Sequence, residues 1–336
     1  MQKNNIQEFN NNLSKNLLVT APMHFLPTKV KKISKLFNVT YAFRASKNEI
    51  MGIIHKFDGW ILDPGADYMV DKEIISMGEN LEVIISPSTG SDHVDLNYCK
   101  EKGIYFDCLK GKENIIEDIH ASAEFSFALL LSILKFLVPA SKSALQGKWR
   151  ECEDQFRGIE LSGKVVGIIG LGRIGKKMAR YCNAFGAKVI FYDPDQASVE
   201  NTTKIDSLDR LLMESNIVCM HVHLNESTRN FFGEKEFDLM KKGSYFINTS
   251  RGGIVDEEAM IGALESGKIL AAGVDVIKGE QSSDLSEHPL VIYANSNSNL
   301  LLTPHIAGLT SDSQGKAADF AIDCISHYFF QSNTSG

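Results

Sequence analysis

The 336-residue sequence lacks a long apolar run, a secretory leader and an excess of positive charge. Its most apolar stretch, residues 125–134, lies between Glu124 and Lys135 and is shorter than the roughly 20 residues of a membrane-spanning helix. The asparagine-rich start, residues 2–12, lacks the charged and then apolar layout of a signal peptide. A formal net charge of −7 disfavours nucleic acid as a partner, because phosphate binding requires a basic surface. We therefore expect a cytoplasmic protein with neither a membrane nor a nucleic-acid partner.

Cysteine is also scarce, and its spacing is uninformative. The six cysteines have neither the paired spacing of a zinc site nor that of a redox motif. Small buried thiols in a reducing compartment are the expected reading, with no metal bound. The positions concerned are Cys99, Cys108, Cys152, Cys182, Cys219 and Cys324.

Short apolar runs alternate with amphipathic stretches in two successive parts of the chain, which is typical of parallel α/β layers. The chain is also long for a single hydrophobic core, so two domains are expected. The first series has predicted strands at 17–20, 59–62, 81–85 and 104–107. A long apolar helix is predicted at 120–141. A second series runs from 164 to 303, with predicted strands at 165–169, 188–192, 217–222, 244–248, 270–276 and 299–303.

A glycine pattern opens the second series. Gly170, Gly172 and Gly175 form G-x-G-x-x-G between an apolar strand and a helical run, which is the context that a dinucleotide-binding turn requires. Such a turn lets a pyrophosphate approach the backbone at the positive end of the helix. Asp193, about 20 residues further on, is placed to bind the adenine ribose. The neighbouring Asp195 would repel a 2′-phosphate, so NAD is favoured over NADP. A structural aspartate in a turn is the competing interpretation of Asp193.

We therefore predict an α/β protein of two doubly wound parallel-sheet domains with a cleft between them. Residues 119–306 form a Rossmann NAD-binding domain, and a flavodoxin-like substrate domain combines residues 1–118 with 307–336. The second domain is discontinuous because the final helix, at about 312–329, has no strand left to cover in the cofactor domain.

Three chemically active side chains follow predicted strands of the second series. Arg251, Glu280 and His305 each lie beyond the carboxyl end of a strand, where open α/β sheets bind ligands. An arginine can hold a carboxylate, and a histidine can exchange a proton near neutral pH. A nearby glutamate would favour the imidazolium and fix one tautomer. Taken singly, each side chain is more simply a surface, loop or capping residue; together, after a dinucleotide motif, they indicate an active site.

With these residues in place, the chain resembles the D-isomer-specific 2-hydroxyacid dehydrogenase family from about Ser86 to Gly308. The matching segments are residues 88–95, 122–124, the glycine motif, 221–224 with Thr228, 248–257, 273–280 and 303–305. The resemblance implies an NAD-dependent enzyme that transfers a hydride between a small D-2-hydroxy acid and its 2-keto acid. It also implies a homodimer formed through the cofactor domain, with the helix at 120–141 in the interface.

The resemblance further implies roles for single residues. His305 is the general acid/base, Glu280 its carboxylate partner and Arg251 the group that binds the substrate carboxylate and carbonyl. Backbone N–H groups of the loop formed by Ser88, Thr89 and Gly90 bind the substrate carboxylate. The expected cofactor contacts are Gly170, Gly172, Arg173, Ile174, Gly175, Asp193, Val222, Thr228, Thr249 and Asp275.

Departures from the family pattern leave the substrate open. Gln281 stands where members usually have proline, and the loop at 63–67 is unusual. Glu280 argues against formate oxidation, because formate-oxidising members carry glutamine there. The loops at 63–67 and 86–93 contain no lysine or arginine for a phosphate, which disfavours phosphoglycerate. Glyoxylate, hydroxypyruvate, pyruvate and larger keto acids all remain open. An NAD-sensing scaffold with little turnover is the alternative function.

Overall fold

The computed structural model describes residues 6–9, 13–282 and 284–330. These residues form two compact units. One unit contains the described residues up to Ile119 together with those from Leu309 onward, and the other comprises His120–Gly308.

The first unit is built on a six-stranded sheet in the order β1-β3-β2-β4-β5-β6. Only β1 runs antiparallel, against β3; the other pairs are parallel. The central strands are buried on both faces, which explains their continuous apolar sequence. The strands are β1 (Ile6–Phe9), β2 (Asn16–Val19), β3 (Asn38–Ala42), β4 (Gly59–Ile61), β5 (Val83–Ser86) and β6 (Tyr105–Cys108).

The sequence predicted four of these six strands. The two that it missed, β1 and β3, each contain two polar residues among the apolar ones and pair with each other at one edge of the sheet. Four short helices connect the strands and a fifth follows β6; Ser46, Asp71 and Asp95 cap three of the five through side-chain hydrogen bonds. They are α1 (Pro27–Ile33), α2 (Lys47–Ile53), α3 (Lys72–Ser76), α4 (Leu96–Glu101) and α5 (Glu113–Ile116).

The second unit begins with two helices where the sequence predicted one at 120–141. Helix α6 (Ala121–Leu134) ends before Phe136, whose backbone is left-handed with φ of 50°, and α7 (Leu137–Leu145) follows at an angle of 63°. The physical reason is Pro139, which in an unbroken helix would clash with the carbonyl of Lys135 and remove a hydrogen bond. Among the described residues, no single helix has the length and apolar character needed to cross a membrane.

A seven-stranded, fully parallel sheet forms the core of the second unit, in the order β13-β12-β11-β10-β7-β8-β9. The chain reverses its direction of winding between β7 and β10, and open sheets of this kind bind ligands beyond the strand ends at such a point. The strands are β7 (Val165–Ile169), β8 (Lys188–Tyr192), β9 (Thr202–Lys204), β10 (Ile217–Met220), β11 (Ser244–Asn248), β12 (Ile269–Val274) and β13 (Leu300–Leu302).

Five further helices cover this sheet. The sequence did not predict the last of them, because residues 282–299 are mostly polar; here Pro289 starts the helix and only Leu290 and Tyr293 are buried. The helices are α8 (Arg173–Ala184), α9 (Leu208–Glu214), α10 (Glu234–Leu239), α11 (Glu257–Glu265) and α12 (Pro289–Ser296).

The final helix, α13 (Ser311–Phe330), belongs to the first unit. Its apolar side packs on that unit's sheet so closely that a Cβ added to Gly59 would lie 3.0 Å from Ile325 and 3.1 Å from Phe329. Lys29 and Asp319 join the helix to α1 by an ion pair of 2.5 Å.

Candidate active site

The glycine turn between β7 and α8 has the features of a phosphate cradle. Gly170 has φ of +90°, a conformation that L side chains rarely adopt, and Gly172 is the residue that precedes the helix. A Cβ added to Gly172 would meet nothing within 4 Å, whereas one added to Gly175 would overlap the Gly170 carbonyl oxygen. Open space therefore lies at Gly172, beside Arg173 and Ile174, whose backbone N–H groups belong to the first turn of α8. This combination fits a dinucleotide pyrophosphate.

The end of β10 closes one side of the turn. A Cβ on Gly170 would lie 2.7 Å from the His221 carbonyl oxygen and 2.9 Å from Val222 Cγ1. The His221 ring is buried, and its Nε2 has no hydrogen-bond partner among the described residues. Burial lowers the pKa of His221 to about 4, so the ring is neutral at physiological pH. Beyond it, Thr228 donates its hydroxyl to the carbonyl of His223 over 2.6 Å and thereby shapes the following loop.

Asp193 joins the glycine turn to the end of β8. Its Oδ2 accepts a hydrogen bond from the Leu171 N–H at 2.8 Å, and its Oδ1 accepts from Asp195 and Gln196 at 2.9 and 3.1 Å. An ionised carboxylate has about four acceptor positions, so these three bonds leave capacity for a ribose hydroxyl. Lys204 places a cation near this turn, since its ammonium donates to the Gln196 carbonyl at 2.9 Å.

The three predicted chemical residues follow three neighbouring strands. Arg251 lies just beyond β11, Glu280 in the loop after β12 and His305 just beyond β13. His305 Nδ1 lies 2.7 Å from Glu280 Oε1, and the two side chains are 44% and 20% exposed. Because an ionised carboxylate only accepts hydrogen bonds, Nδ1 carries the proton, and Nε2 is left to exchange a proton with another group.

Asp275 holds the turn that carries His305. Its carboxylate is buried and accepts hydrogen bonds from Thr303 Oγ1 at 2.6 Å, Ile306 N–H at 3.0 Å and Ala307 N–H at 2.8 Å. The backbone N–H of His305 also donates to the Asp275 carbonyl at 2.8 Å. These bonds hold His305 at φ of +52°, a conformation uncommon for residues with a side chain. The contact of Asp275 with the cofactor stays a prediction.

The segment around Arg251 is held equally firmly. Asn248 accepts from the Ser250 N–H at 3.0 Å and donates to the Arg251 carbonyl at 3.3 Å. The half-buried Arg251 side chain donates from Nη1 to the Ser250 carbonyl at 2.8 Å. Thr249 is buried and shares a hydroxyl hydrogen bond of 2.5 Å with Ser126. The local backbone is therefore fixed before any substrate binds.

The predicted carboxylate-binding loop lies in the first unit, directly after β5. Ser88 donates its hydroxyl to the Gly90 carbonyl at 2.8 Å and lies 2.9 Å from the hydroxyl of Ser86. Ser86 in turn lies 3.2 Å from His93 Nε2. Ser88, Thr89 and Gly90 are half-buried. Their role towards the substrate stays a prediction.

Sequence reasoning missed one charged residue at the same sheet edge. Arg44 follows β3 with φ of +58°. Burial raises the pKa of Asp63, and the positive charge of Arg44 partly opposes that effect. A strand before Arg44 would have drawn attention to it, but β3 is one of the two strands that the sequence did not predict. The loops at 63–67 and 86–93 contain no lysine or arginine, but Arg44 adds a cation at the same edge of the sheet.

A dinucleotide turn, an arginine and an exposed histidine–glutamate pair on one parallel sheet together define a nicotinamide-dependent dehydrogenase. Two family models match the chain: the D-isomer specific 2-hydroxyacid dehydrogenase NAD binding domain over residues 127–307, and the catalytic domain of the same family over residues 17–107. The chain belongs to the D-isomer-specific 2-hydroxyacid dehydrogenase family.

Individual relatives agree with this assignment. Hydroxypyruvate reductase of Thermotoga maritima is 35% identical over 80% of this chain and 83% of that protein. D-3-phosphoglycerate dehydrogenase of Methanocaldococcus jannaschii is 31% identical over 92% of this chain, which spans only 56% of that longer protein. The structure of D-lactate dehydrogenase from Aquifex aeolicus, complexed with NAD and lactic acid, has a TM-score of 0.75 and 27% identity, covering 93% of this chain and 95% of that one.

These findings confirm an NAD-dependent oxidoreductase of the 2-hydroxyacid dehydrogenase type. They do not favour the alternative of a sensing scaffold, since the relatives are enzymes that act on small hydroxy or keto acids.

Proposed function

We propose that this enzyme reduces a small 2-keto acid to the D-2-hydroxy acid, and catalyses the reverse, with His305 as acid/base and Arg251 as carboxylate binder. The observation that carries the proposal is the 2.7 Å contact between His305 Nδ1 and Glu280 Oε1 at the ends of neighbouring strands. That contact assigns the proton of the neutral ring to Nδ1 and leaves Nε2 for the substrate oxygen.

The residues act as follows in the reductive direction. NADH, when bound, would supply the hydride that the keto carbon receives. His305 delivers the Nε2 proton of its imidazolium form to the carbonyl oxygen, and Glu280 stabilises the positive ring before the transfer and fixes its tautomer afterwards. The guanidinium of Arg251 pairs with the substrate carboxylate and polarises the carbonyl. In the oxidative direction the neutral ring takes the hydroxyl proton at Nε2.

The residues that would hold NAD surround the glycine turn. Gly172 with the N–H groups of Arg173 and Ile174 would receive the pyrophosphate, and Asp193 the ribose hydroxyls. Val222, Thr228, Thr249 and Asp275 would line the rest of the cofactor. Lys204 lies near the same turn and could attract the 2′-phosphate of NADP. The preference for NAD over NADP therefore rests on Asp193 itself.

For the substrate we propose a small, unphosphorylated keto acid, with Ser88, Thr89 and Gly90 giving N–H groups to its carboxylate. Arg44 keeps a phosphorylated acid in the comparison, because it is a cation at the carboxyl edge of the first unit's sheet. The relatives named above include a hydroxypyruvate reductase and a phosphoglycerate dehydrogenase, so both classes belong in the test.

The test is an NADH oxidation assay with glyoxylate, hydroxypyruvate, pyruvate, phosphohydroxypyruvate and branched keto acids. We expect turnover of at least one unphosphorylated acid and its loss in Arg251→Ala. Preferential turnover of phosphohydroxypyruvate, lost selectively in Arg44→Ala, would overturn the substrate assignment and leave the reaction type intact. No turnover with any acid, despite NADH binding, would overturn the proposed function.

We also propose that the enzyme is a homodimer joined through the second unit. Support comes from α7, which has no buried residue, and from the exposed apolar side chains of Leu137, Leu145 and Trp149 at 60%, 86% and 72%. Apolar surface of this kind is usually covered by a partner. The earlier part of the predicted interface helix, α6, is largely buried within its own unit. Light scattering should give a dimer that Leu145→Glu with Trp149→Glu converts to monomer.

A cytoplasmic location is part of the same proposal. All six cysteines are unpaired, as expected where thiols stay reduced. Cell fractionation with an antibody would test it, and recovery of the protein outside the cytoplasm would contradict it.

A further inference from the structure

The backbone of Lys278, two residues before Glu280, is hydrogen-bonded at both its N–H and its carbonyl oxygen. Glu257, at the start of α11, accepts the Lys278 N–H with Oε1 at 2.7 Å. His288 Nε2 lies 3.1 Å from the Lys278 carbonyl oxygen. His288 Nδ1 accepts the N–H of Leu290 at 3.2 Å, so in the neutral ring the proton is on Nε2, which donates to Lys278.

The backbone of Gly252 also packs closely against the peptide bond between Ile277 and Lys278. A Cβ added to Gly252 would overlap the Ile277 carbonyl and the Lys278 nitrogen. Gly252 directly follows Arg251, so the loop that carries Glu280 packs against the segment that carries the arginine. The backbone of Lys278 is thus fixed by one side chain on each side and by a neighbouring backbone.

Little freedom remains between Lys278 and the catalytic pair. Gly279 has φ of +67°, which turns the chain sharply, and Glu280 then reaches back so that Oε2 lies 3.4 Å from the Ile277 N–H. Its other oxygen, Oε1, is the one that contacts His305. A shift of the Lys278 backbone would therefore move the Glu280 carboxylate away from the His305 imidazole.

Glu257 and His288 are costly groups to bury. Their side chains are only 10% and 12% exposed, and Glu257 Oε2 lies 3.4 Å from His288 Nε2. Burial raises the pKa of Glu257, while the hydrogen bond from Lys278 and the charges of His288 and Lys278 oppose that effect. Apolar residues of similar volume often give equal or greater stability at such positions, so a buried polar pair suggests a task other than stability.

We propose that Glu257 and His288 are positioning residues for catalysis. They form a clamp that holds the backbone N–H and carbonyl of Lys278, and this clamp keeps the Glu280 carboxylate in contact with His305. This inference rests on the proposed roles of Glu280 and His305. Neither clamp residue touches substrate or cofactor in the proposal. They act on the reaction only through the geometry of the Glu280 loop.

The test compares Glu257→Leu, Glu257→Gln and His288→Phe with Glu258→Leu, an exposed neighbour on the same helix, as the matched control. We expect Glu257→Leu to lower kcat by about 10- to 100-fold with little change in NADH affinity, because small displacements of a catalytic group have effects of that size. Glutamine keeps an oxygen acceptor for the Lys278 N–H and should restore much of the rate. His288→Phe keeps the ring volume, loses the bond to Lys278 and should act in the same direction, which covers the case in which Glu257→Leu does not fold.

The pH–rate profile separates positioning from stability. Glu257→Leu should shift the limb assigned to His305 in the same direction as Glu280→Gln, and should shift it no further in the Glu280→Gln background. Variants with lower melting temperature but an unchanged kcat and profile would overturn the clamp and leave a helix-stabilising role. If Glu280→Gln itself leaves the profile unchanged, the proposed catalytic pair fails instead, so the two failures are distinguishable.

Discussion

The second unit contains two glutamate–histidine pairs that differ in burial and in the use of their ring nitrogens. In the Glu280–His305 pair the atoms are 2.7 Å apart, and the histidine side chain is 44% exposed. In the Glu257–His288 pair they are 3.4 Å apart, and both side chains are almost buried. His288 uses Nδ1 for the Leu290 N–H and Nε2 for the Lys278 carbonyl.

The comparison shows that pairing with a glutamate does not define the task of a histidine. His305 has one nitrogen bound to a carboxylate and the other available, as proton exchange requires. His288 has partners on both nitrogens, so it can hold a backbone but has no site for a substrate proton. The number of hydrogen-bonded ring nitrogens and the exposure of the ring therefore distinguish a histidine that can exchange a proton from one that can only hold the backbone.

The largest expected effect comes from removing the available nitrogen. His305→Ala should lower kcat by about 10³-fold, within the range that general acid–base catalysis contributes. NADH affinity, followed by fluorescence, should stay near the wild-type value, since the proposed cofactor contacts lie at other residues. A rate within threefold of wild type would show that another group moves the proton.

His221, a buried ring whose Nε2 lacks a described partner, extends the comparison to stability. Its pKa is about 4 in the folded chain against an ordinary value of 6.5, so the unfolded chain binds the proton more readily. The contribution of His221 to the free energy of unfolding is therefore fully present above pH 6.5. It falls by about 3 kcal/mol as the pH decreases from 6.5 towards 4. Urea unfolding at pH 7 and pH 4.5 should show a smaller loss for His221→Gln than for wild type. Equal losses would contradict the assignment.

A smaller effect is expected when the charge beside His305 is removed. Glu280→Gln keeps the size of the side chain but no longer stabilises the imidazolium, so the rate should fall by about 10- to 100-fold. The limb of the pH–rate profile that reports the imidazolium should move to lower pH. A full profile from pH 5 to 10 measures this, and an unmoved limb would show that the 2.7 Å contact has no part in catalysis.

The smallest effect is expected at Asp193, whose carboxylate is hydrogen-bonded to backbone N–H groups and not to a histidine. Asp193→Ala should weaken NAD binding by about tenfold, close to the 1.4 kcal/mol expected for one hydrogen bond to a charged group, and should weaken NADP less. Asp195→Ala is the control for NAD alone: it should leave NAD binding unchanged, because its carboxylate is not needed for the ribose contact, and it should strengthen NADP binding by removing a charge that repels the 2′-phosphate. Equal losses of the two cofactors would show that Asp193 serves only the Leu171 N–H and its own turn.

The sequence predicted features that depend on local pattern and missed those that depend on distant partners. The glycine turn at Gly170 and ten of the thirteen strands were recognisable because apolar runs and turn residues are local signals. The edge strands β1 and β9, and β3 beside β1, carry polar residues and were missed. The break at Phe136 depends on Pro139, and the apolar pattern alone, which predicts one helix at 120–141, does not show it.

By itself the sequence determined the class of cofactor and predicted the set of reactive side chains, because both follow from residue types at the ends of apolar runs. Only the tertiary structure decided which atoms meet. It joined Glu280 to His305 across 25 positions, and it placed Lys204 beside the turn that follows Asp193. The clamp of Glu257 and His288 on Lys278 is likewise a product of folding, because hydrogen bonds between distant residues depend on how helices and strands pack. Local preference selects the elements, and packing selects their partners.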